Sequence, residues 1–144
     1  MKVSDLLRAR TEVFSISDSA TVHDAARYLR DQKVRAVGVR DSGGALVGIV
    51  SQSDVSEKVA AENKCPAWMR VSEIMSTNLV TIAPETSLEE CLRLMEKHRI
   101  FHLLVVDPNA GFRGLISAKD LLKVIASDHK ERADMLESYM FPQH

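Results

Sequence analysis

Residues 48–55 read Gly-Ile-Val-Ser-Gln-Ser-Asp-Val, and residues 114–121 repeat the pattern as Gly-Leu-Ile-Ser-Ala-Lys-Asp-Leu. Each copy has a glycine, two apolar residues and a serine, with an aspartate three residues after the serine. The copies are 66 residues apart, and the same offset aligns residues 11–55 with residues 77–121 without a gap. Eight of these 45 aligned pairs are identical. The chain is therefore predicted to be an internal duplication, in which two similar halves share one core.

Each half contains an amphipathic helix whose start is marked in the sequence. Residues 21–24 and 87–90 both read Ser/Thr-x-x-Asp/Glu, which is the pattern of a capping box. Apolar residues then recur at helical spacing and stop near Gln32 in the first half and near His98 in the second. A second helix is predicted to begin at the repeated serine motif.

Short strands flank these helices, and those at residues 34–39 and 100–106 are almost wholly apolar, as expected for strands that are covered on both faces. They are predicted at residues 13–16, 34–39, 45–50, 79–82, 100–106 and 112–116. Each half therefore has the order β-α-β-β-α. One half alone buries too little apolar surface to be stable, so the two sheets are expected to share an interface. The sequence predicts an α+β fold of two pseudo-symmetric repeats packed sheet to sheet.

The repeats also have similar lead-ins, Val-Ser-Asp-Leu-Leu at residues 3–7 and Val-Ser-Glu-Ile-Met at residues 71–75. These lead-ins are 68 residues apart, so the first copy has two additional residues within residues 8–10. The predicted division of the chain is a first repeat, a linker, a second repeat and a C-terminal helical tail, at residues 1–64, 65–70, 71–126 and 127–144.

Composition excludes several classes of protein. The chain of 144 residues has 19 basic and 20 acidic residues and a net charge of −1, which argues against a nucleic-acid partner. No apolar run approaches the ~18 residues of a membrane span, and no membrane association is predicted. Residues 1–5 lack the apolar core of a signal peptide. A cytoplasmic protein is expected.

Neither the cysteines nor the histidines predict a metal site. Cys65 and Cys91 match no metal-ligand spacing, and Cys91 lies on an apolar helix stripe as a small core residue. His98 and His102 are four residues apart, but one closes a helix and the other opens a strand. They therefore do not share a helical face, and no metal or catalytic cofactor is predicted.

The Ser-x-x-Asp motif at a strand-to-helix turn has two interpretations. Ser51 with Asp54, and Ser117 with Asp120, can each form a helix capping box, which a duplication would copy like any other structural feature. Alternatively, the free N–H groups of the helix start suit an anion such as phosphate, and the carboxylate suits the hydroxyls of a ribose. The spacing alone supports both about equally.

The order and duplication of these motifs resemble a tandem pair of cystathionine-β-synthase (CBS) domains, or Bateman module, of the stand-alone bacterial signal-transduction type. The resemblance rests on the lead-in Val-Ser-Glu-Ile-Met, the strand Leu-Leu-Val-Val-Asp at residues 103–107 and the Gly-h-h-Ser-x-x-Asp motif, where h is apolar. It covers residues 3–125. It implies a non-catalytic regulatory module that binds AMP, or else ATP or NAD, in two clefts between the repeats.

The resemblance assigns ribose contacts to the two motif aspartates, phosphate contacts to basic residues and a cleft edge to the backbone near Thr77. The implied nucleotide-binding residues are Arg35, Ser51, Asp54, Thr77, His102, Ser117, Lys119 and Asp120. Many family members have a proline in the middle strand where this chain has Gly38 and Leu104.

The two clefts are expected to differ, because Lys119 precedes the second aspartate whereas Ser53 precedes the first. The Asp120 cleft is therefore predicted to bind phosphate-bearing ligands more tightly. The resemblance also implies a homodimer through the helices after the motifs, and an unidentified regulated protein. The alternative function is a structural dimerisation module with vestigial clefts. An enzyme is not expected, because no nucleophile and base converge in the sequence.

Overall fold

The structure is a computed structural model in which residues 1–8, 10 and 12–128 are described. The predicted C-terminal tail lies outside these residues except for its first two positions. The helices and strands in chain order are α1 Val3–Leu7, β1 Ser15–Ser17, α2 Val22–Gln32, β2 Ala36–Arg40, β3 Leu46–Ser51, α3 Gln52–Val55, β4 Thr81–Ile82, α4 Leu88–His98, β5 His102–Asp107, β6 Gly111–Ser117 and α5 Ala118–Asp128. Within this part of the chain, no helix has the length and apolar character needed to cross a membrane.

The described residues form two three-stranded sheets, one from each half, in the orders β1-β2-β3 and β4-β5-β6. In each sheet the middle strand pairs in parallel with the first strand and antiparallel with the third. The middle strands β2 and β5 are largely buried, as their apolar sequences predict. The predicted α+β fold and the order β-α-β-β-α in each half are confirmed.

Both predicted amphipathic helices end as expected. After α2 the backbone turns left-handed at Lys33 (φ 57°), and after α4 it does so at Arg99 (φ 54°). A left-handed residue ends a helix because the next N–H turns back to bond a carbonyl of the last turn.

The helix start in the second half differs from its prediction. In the first half Thr21 and Asp24 form the complete capping box. Ser87 does accept a bond from the Glu90 N–H (3.2 Å), but the Glu90 carboxylate accepts bonds from Arg93 at 2.6 and 2.8 Å. The predicted capping box at residues 87–90 is therefore wrong in its reciprocal bond. The physical reason is that a two-bond guanidinium–carboxylate pair outcompetes a bond to one backbone N–H.

The helix after the first motif also departs from the regular helix that was expected. Only Gln52–Val55 is α-helical, and Ser56–Ala60 continues as a π-helical turn. The Ala61 N–H bonds the Ser56 carbonyl at 2.8 Å, which is the i→i+5 bond of such a turn. The buried Val59 lies in this turn.

The two lead-ins are exchanged between the halves. Val3 and Leu7 of α1 pack into the core of the second half, whereas Val71 and Ile74 pack into the core of the first. The N–H of Val3 donates to the Thr86 carbonyl (2.9 Å). In the other half, the N–H of Val71 donates to the carbonyl of Ala20 (2.8 Å), which is the residue aligned with Thr86. The predicted boundaries at residues 64 and 71 divide the chain by sequence. Each lead-in, however, packs into the core of the other half.

The two sheets meet where β2 contacts β6. A Cβ atom built on Gly38 would lie 2.7 Å from Cε2 and Cζ of Phe112, well inside van der Waals distance. The guanidinium carbon of the neighbouring Arg40 lies 5.3 Å from the Phe112 ring centroid, in cation–π contact. Gly38 therefore makes room for the aromatic ring of Phe112 from the opposite sheet.

Gly38→Ala is expected to lower the free energy of unfolding by about 1–3 kcal/mol, because the added methyl group overpacks the sheet interface. Urea unfolding measures this loss. Gly43→Ala is the matched control, since a Cβ there would meet only Asp41 Oδ1 at 3.4 Å, an ordinary contact. Equal unfolding midpoints for the two variants would show that the Phe112 ring moves aside without cost.

Candidate functional site

Both copies of the repeated motif form the same strand-to-helix turn. At the start of α3 the Asp54 carboxylate accepts bonds from the Ser51 N–H (2.9 Å) and hydroxyl (3.0 Å). At the start of α5 the Asp120 carboxylate accepts bonds from the Ser117 N–H (2.8 Å) and hydroxyl (2.9 Å). Each serine hydroxyl in turn accepts a bond from the N–H of its aspartate. The capping interpretation is therefore correct at both turns, and it leaves a ligand role open.

The carboxylate of Asp120 also has a cationic partner from a distant part of the chain. Nη2 of Arg10 lies 2.7 Å from Oδ2 of Asp120, and Nη1 of Arg10 donates to the carbonyl of Leu115. Burial by itself raises the pKa of Asp120, but the bond from the Ser117 N–H and the bond and charge of Arg10 outweigh it and leave the pKa below its ordinary value. The carboxylate is therefore ionised at neutral pH.

Asp54 is neutralised from its own helix instead. Nζ of Lys58 lies 3.1 Å from Oδ1 of Asp54 and donates to the carbonyl of Ile74 at 2.8 Å. Asp54 and Lys58 are four residues apart, as is usual for helical ion pairs. In the described part of the chain, both carboxylate oxygens of Asp54 thus have partners, whereas Oδ1 of Asp120 has none.

Two further predicted residues lie near Asp120. His102 pairs with Ser117 in the β5–β6 ladder. Burial lowers the pKa of His102; the nearby Asp120 carboxylate opposes this, and the charge of Arg35 lowers the pKa further. His102 is therefore uncharged at neutral pH. Arg35 belongs to the first repeat, but its charge acts on this residue of the second repeat. Arg35 itself is exposed.

Thr77 and Lys119 are not brought into contact with either carboxylate. Thr77 is exposed and follows Ser76, whose N–H and carbonyl both bond Ile49 of β3, at 2.9 and 3.0 Å. The backbone before Thr77 thus lies along the first motif strand. Lys119 is exposed and makes no hydrogen bond or ion pair with the described residues. Its contact with phosphate stays a prediction.

The glycine of the first motif serves this same chain crossing. A Cβ on Gly48 would lie 2.6 Å from Sδ of Met75 and 3.1 Å from the carbonyl oxygen of Ser76. Because glycine has no Cβ atom, residues 75 and 76 can pass directly over β3 at this position.

Sequence reasoning missed the two cations that bind the motif carboxylates. Lys58 follows Asp54 by four residues on a predicted helix, so the rule for helical ion pairs could have identified it. Arg10 lies in the segment where the first repeat has two additional residues. The break in the repeat marked this segment as different, but no pattern indicated where its side chain would go.

Among the described residues, the cysteines and histidines form no group that could bind a metal ion. Cys91 is fully buried in the second core, and burial raises the pKa of its thiol to about 11, which keeps it protonated. Among residues 1–8, 10 and 12–128, no three His, Cys, Asp or Glu side chains form a group that could hold a metal ion.

Comparison with known proteins agrees with this geometry. A family model of the CBS domain matches residues 3–61 and 71–127. The CBS domain-containing protein YhcV of Bacillus subtilis is 33% identical over 111 residues, which cover 77% of each chain. The mitochondrial CBS domain-containing protein CBSX3 of Arabidopsis thaliana is 29% identical over 83% of this chain and 60% of its own. This chain spans only 21% to 60% of the length of three of the curated relatives that it matches.

Solved structures share the fold. A protein with CBS domains from Burkholderia ambifaria has a TM-score of 0.82 at 30% identity, covering 90% of this chain and 96% of that one. Two more distant structures contain ligands. The CBS domain pair of MJ0100, in complex with 5-methylthioadenosine and S-adenosyl-L-methionine, has a TM-score of 0.79 at 23% identity and covers 89% of this chain and 98% of that one. PAE2072 from Pyrobaculum aerophilum, complexed with AMP, has a TM-score of 0.76 at 20% identity and covers 88% of this chain and 99% of that one.

The duplicated β-α-β-β-α units, the paired Ser-x-x-Asp turns and these matches together show that the chain belongs to the CBS-domain family, as a tandem pair of CBS domains.

Proposed function

We propose that this chain is a non-catalytic regulatory module that binds an adenine nucleotide at its two Ser-x-x-Asp turns. AMP is the first candidate, and ATP and NAD are the others. The observation that carries the proposal is the environment of Asp120. Its ionised carboxylate is held at the start of α5 with Oδ1 unbonded among the described residues, and Arg10 is at 2.7 Å. The AMP complex of PAE2072 and the S-adenosyl-L-methionine complex of MJ0100 support an adenosine-type ligand for this fold.

The chemistry of the turn suits such a ligand. A ribose has two neighbouring hydroxyl groups, and each can donate a charge-assisted hydrogen bond to an ionised carboxylate. Guanidinium groups can bind the phosphate with two parallel bonds, and the neutral His102 can donate a further one. Asp120 would then hold the sugar, while Arg10, Arg35 and His102 supply the donors for the phosphate. No residue is assigned a catalytic role.

The alternative is a structural dimerisation module with vestigial clefts, and one observation favours it. Both oxygens of Asp54 already have partners without a ligand, so the first turn is satisfied as a helix cap and ion pair. Equilibrium dialysis with radiolabelled AMP distinguishes the two functions. Retention of AMP that depends on Asp120 supports the nucleotide-binding module, and no retention at millimolar AMP supports the structural one.

The proposal predicts that AMP stabilises the folded protein. A ligand that binds only the folded state adds about 2.7 kcal/mol at 100 times its dissociation constant. The melting temperature should therefore rise by several degrees in a thermal scan with AMP. ADP, ATP, NAD and S-adenosylmethionine, scanned in parallel, identify the preferred ligand. An unchanged melting curve with all five at millimolar concentration would contradict nucleotide binding.

We also propose that the chain forms a homodimer in the cytoplasm and acts on a separate regulated protein. The motif helices pack Val59 and Leu121 into their own cores, while Leu122 and Ile125 of α5 are only partly buried and can contact a second copy. Sedimentation at micromolar concentration is expected to give twice the chain mass of 16.0 kDa. A single species at the monomer mass would rule the dimer out.

A further inference from the structure

The two motif carboxylates receive their cations from different places, although the duplication made the turns alike. Lys58 neutralises Asp54 from the same helix. The residue aligned with Lys58 in the second repeat is Val124, which carries no charge. There the cation comes instead from Arg10, whose aligned residue in the second repeat is Ser76. The cation of the second turn therefore comes from the segment after the first lead-in, whereas that of the first turn comes from the motif helix.

Arg10 takes the place of a backbone contact. In the first half, the N–H and carbonyl of Ser76 bond Ile49. In the second half, the Arg10 side chain donates to the carbonyl of Leu115, which is the residue aligned with Ile49. A side chain can leave this position by rotating about its own bonds, whereas the Ser76 contact could open only by moving the chain. The Arg10 side chain is 35% exposed, so it is not enclosed by the protein on all sides.

A ribose would compete with Arg10 for the same carboxylate. Within the described residues, Oδ2 of Asp120 accepts hydrogen bonds from the Ser117 N–H and hydroxyl and forms the ion pair with Arg10, whereas Oδ1 has no partner. A ribose diol that donates to both oxygens must therefore displace the guanidinium from Oδ2. A neutral nucleoside leaves the displaced guanidinium without an anionic partner. A phosphate group offers it a new two-bond partner.

We propose that Arg10 makes the second cleft selective for anionic adenosine ligands over neutral ones, by exchanging its pairing with Asp120 for pairing with the ligand phosphate. This inference rests on the proposed nucleotide-binding function. In the unliganded protein Arg10 blocks the ribose-binding carboxylate. When AMP binds, the guanidinium turns to the phosphate, so the block is lifted only by a ligand that carries the anion.

The test compares AMP with adenosine by calorimetric titration of the full chain in an Asp54→Asn background, in which the first cleft is silenced. The parent is expected to prefer AMP. Arg10→Ala should weaken AMP about tenfold, the effect of one lost charge-assisted contact. The same variant should bind adenosine with equal or higher affinity, because Arg10 no longer competes with the ribose for Asp120. Arg8→Ala is the matched control from the same segment after the first lead-in, since Arg8 is exposed and pairs only with Asp5 within the described residues.

A general structural role for Arg10 would give a different result. Equal weakening of AMP and adenosine by Arg10→Ala, or an unchanged preference for AMP, would overturn the inference while leaving nucleotide binding intact. If the parent binds neither ligand, the proposed function fails and the inference fails with it. If Arg10→Ala melts too low for titration, Arg10→Gln decides the question by the same criteria, because glutamine keeps a donor for the Leu115 carbonyl without the charge.

Discussion

Asp120→Asn is expected to weaken AMP binding about 10- to 100-fold while leaving the protein folded. A ribose held by an ionised carboxylate makes charge-assisted hydrogen bonds that contribute roughly 1.5–3 kcal/mol, and asparagine has neither the charge nor a second acceptor oxygen. The substitution also weakens the cap of α5 and the pairing with Arg10, which should cost about 0.5–2 kcal/mol of stability. Titration with AMP, alongside thermal melting without ligand, separates the two effects.

Asp54→Asn is the matched control at the equivalent turn. Both oxygens of Asp54 are engaged without a ligand, and the second turn has the additional cations Arg10 and Arg35 nearby. Asp120→Asn should therefore remove the tighter class of AMP site, and Asp54→Asn the weaker. A variant of Asp120 that melts early but binds AMP normally would show that the aspartate is a helix cap alone. Equal effects of the two substitutions on AMP would contradict the predicted hierarchy.

Ile74→Ala is expected to lower the free energy of unfolding by about 2–5 kcal/mol, the usual cost of truncating a large core side chain to alanine. Ile74 belongs to the second lead-in by sequence, but its side chain is 1% exposed inside the first core. Its loss should therefore open a cavity at the point where the two halves interlock. Urea unfolding, followed by circular dichroism, measures the change in midpoint.

The control for this cavity is Val13→Ala, because Val13 is 40% exposed and should cost no more than about 0.5 kcal/mol. Val3→Ala should mirror the Ile74 variant in the second core, with a smaller effect because fewer methyl groups are removed. A loss of less than about 1 kcal/mol for Ile74→Ala would mean that the second lead-in contributes little to the first core.

The sequence was sufficient for the parts of the fold that depend on local chemistry and on the repeat. The capping box at Thr21 and the ends of α2 and α4 follow from side-chain spacing over a few residues. The 66-residue offset then predicts that both halves have the same elements. Glu90 shows the limit, because its choice between the Ser87 N–H and Arg93 is decided by relative bond strength rather than by spacing.

The sequence did not predict contacts between distant segments. The lead-ins were recognised as similar segments, but their sequences did not indicate that Val3 and Ile74 are buried in the opposite halves. The same holds for the candidate site. The turns around Asp54 and Asp120 could be located from their pattern, whereas the pairing of Arg10 with Asp120 depends on how the first lead-in crosses to the second half.

The exchanged lead-ins also have a consequence for synthesis on the ribosome. Helix α1 is translated before its backbone partners Pro84 and Thr86, which emerge several seconds later at about 5–20 residues per second. The first core is likewise incomplete until Val71–Glu73 and Ile74 have left the exit tunnel. Contacts of such long sequence separation slow folding. A nascent chain that stalls before Val71 would therefore expose both an incomplete first core and the apolar side chains of residues 3–7. Chaperones should therefore bind this protein until its second half is complete.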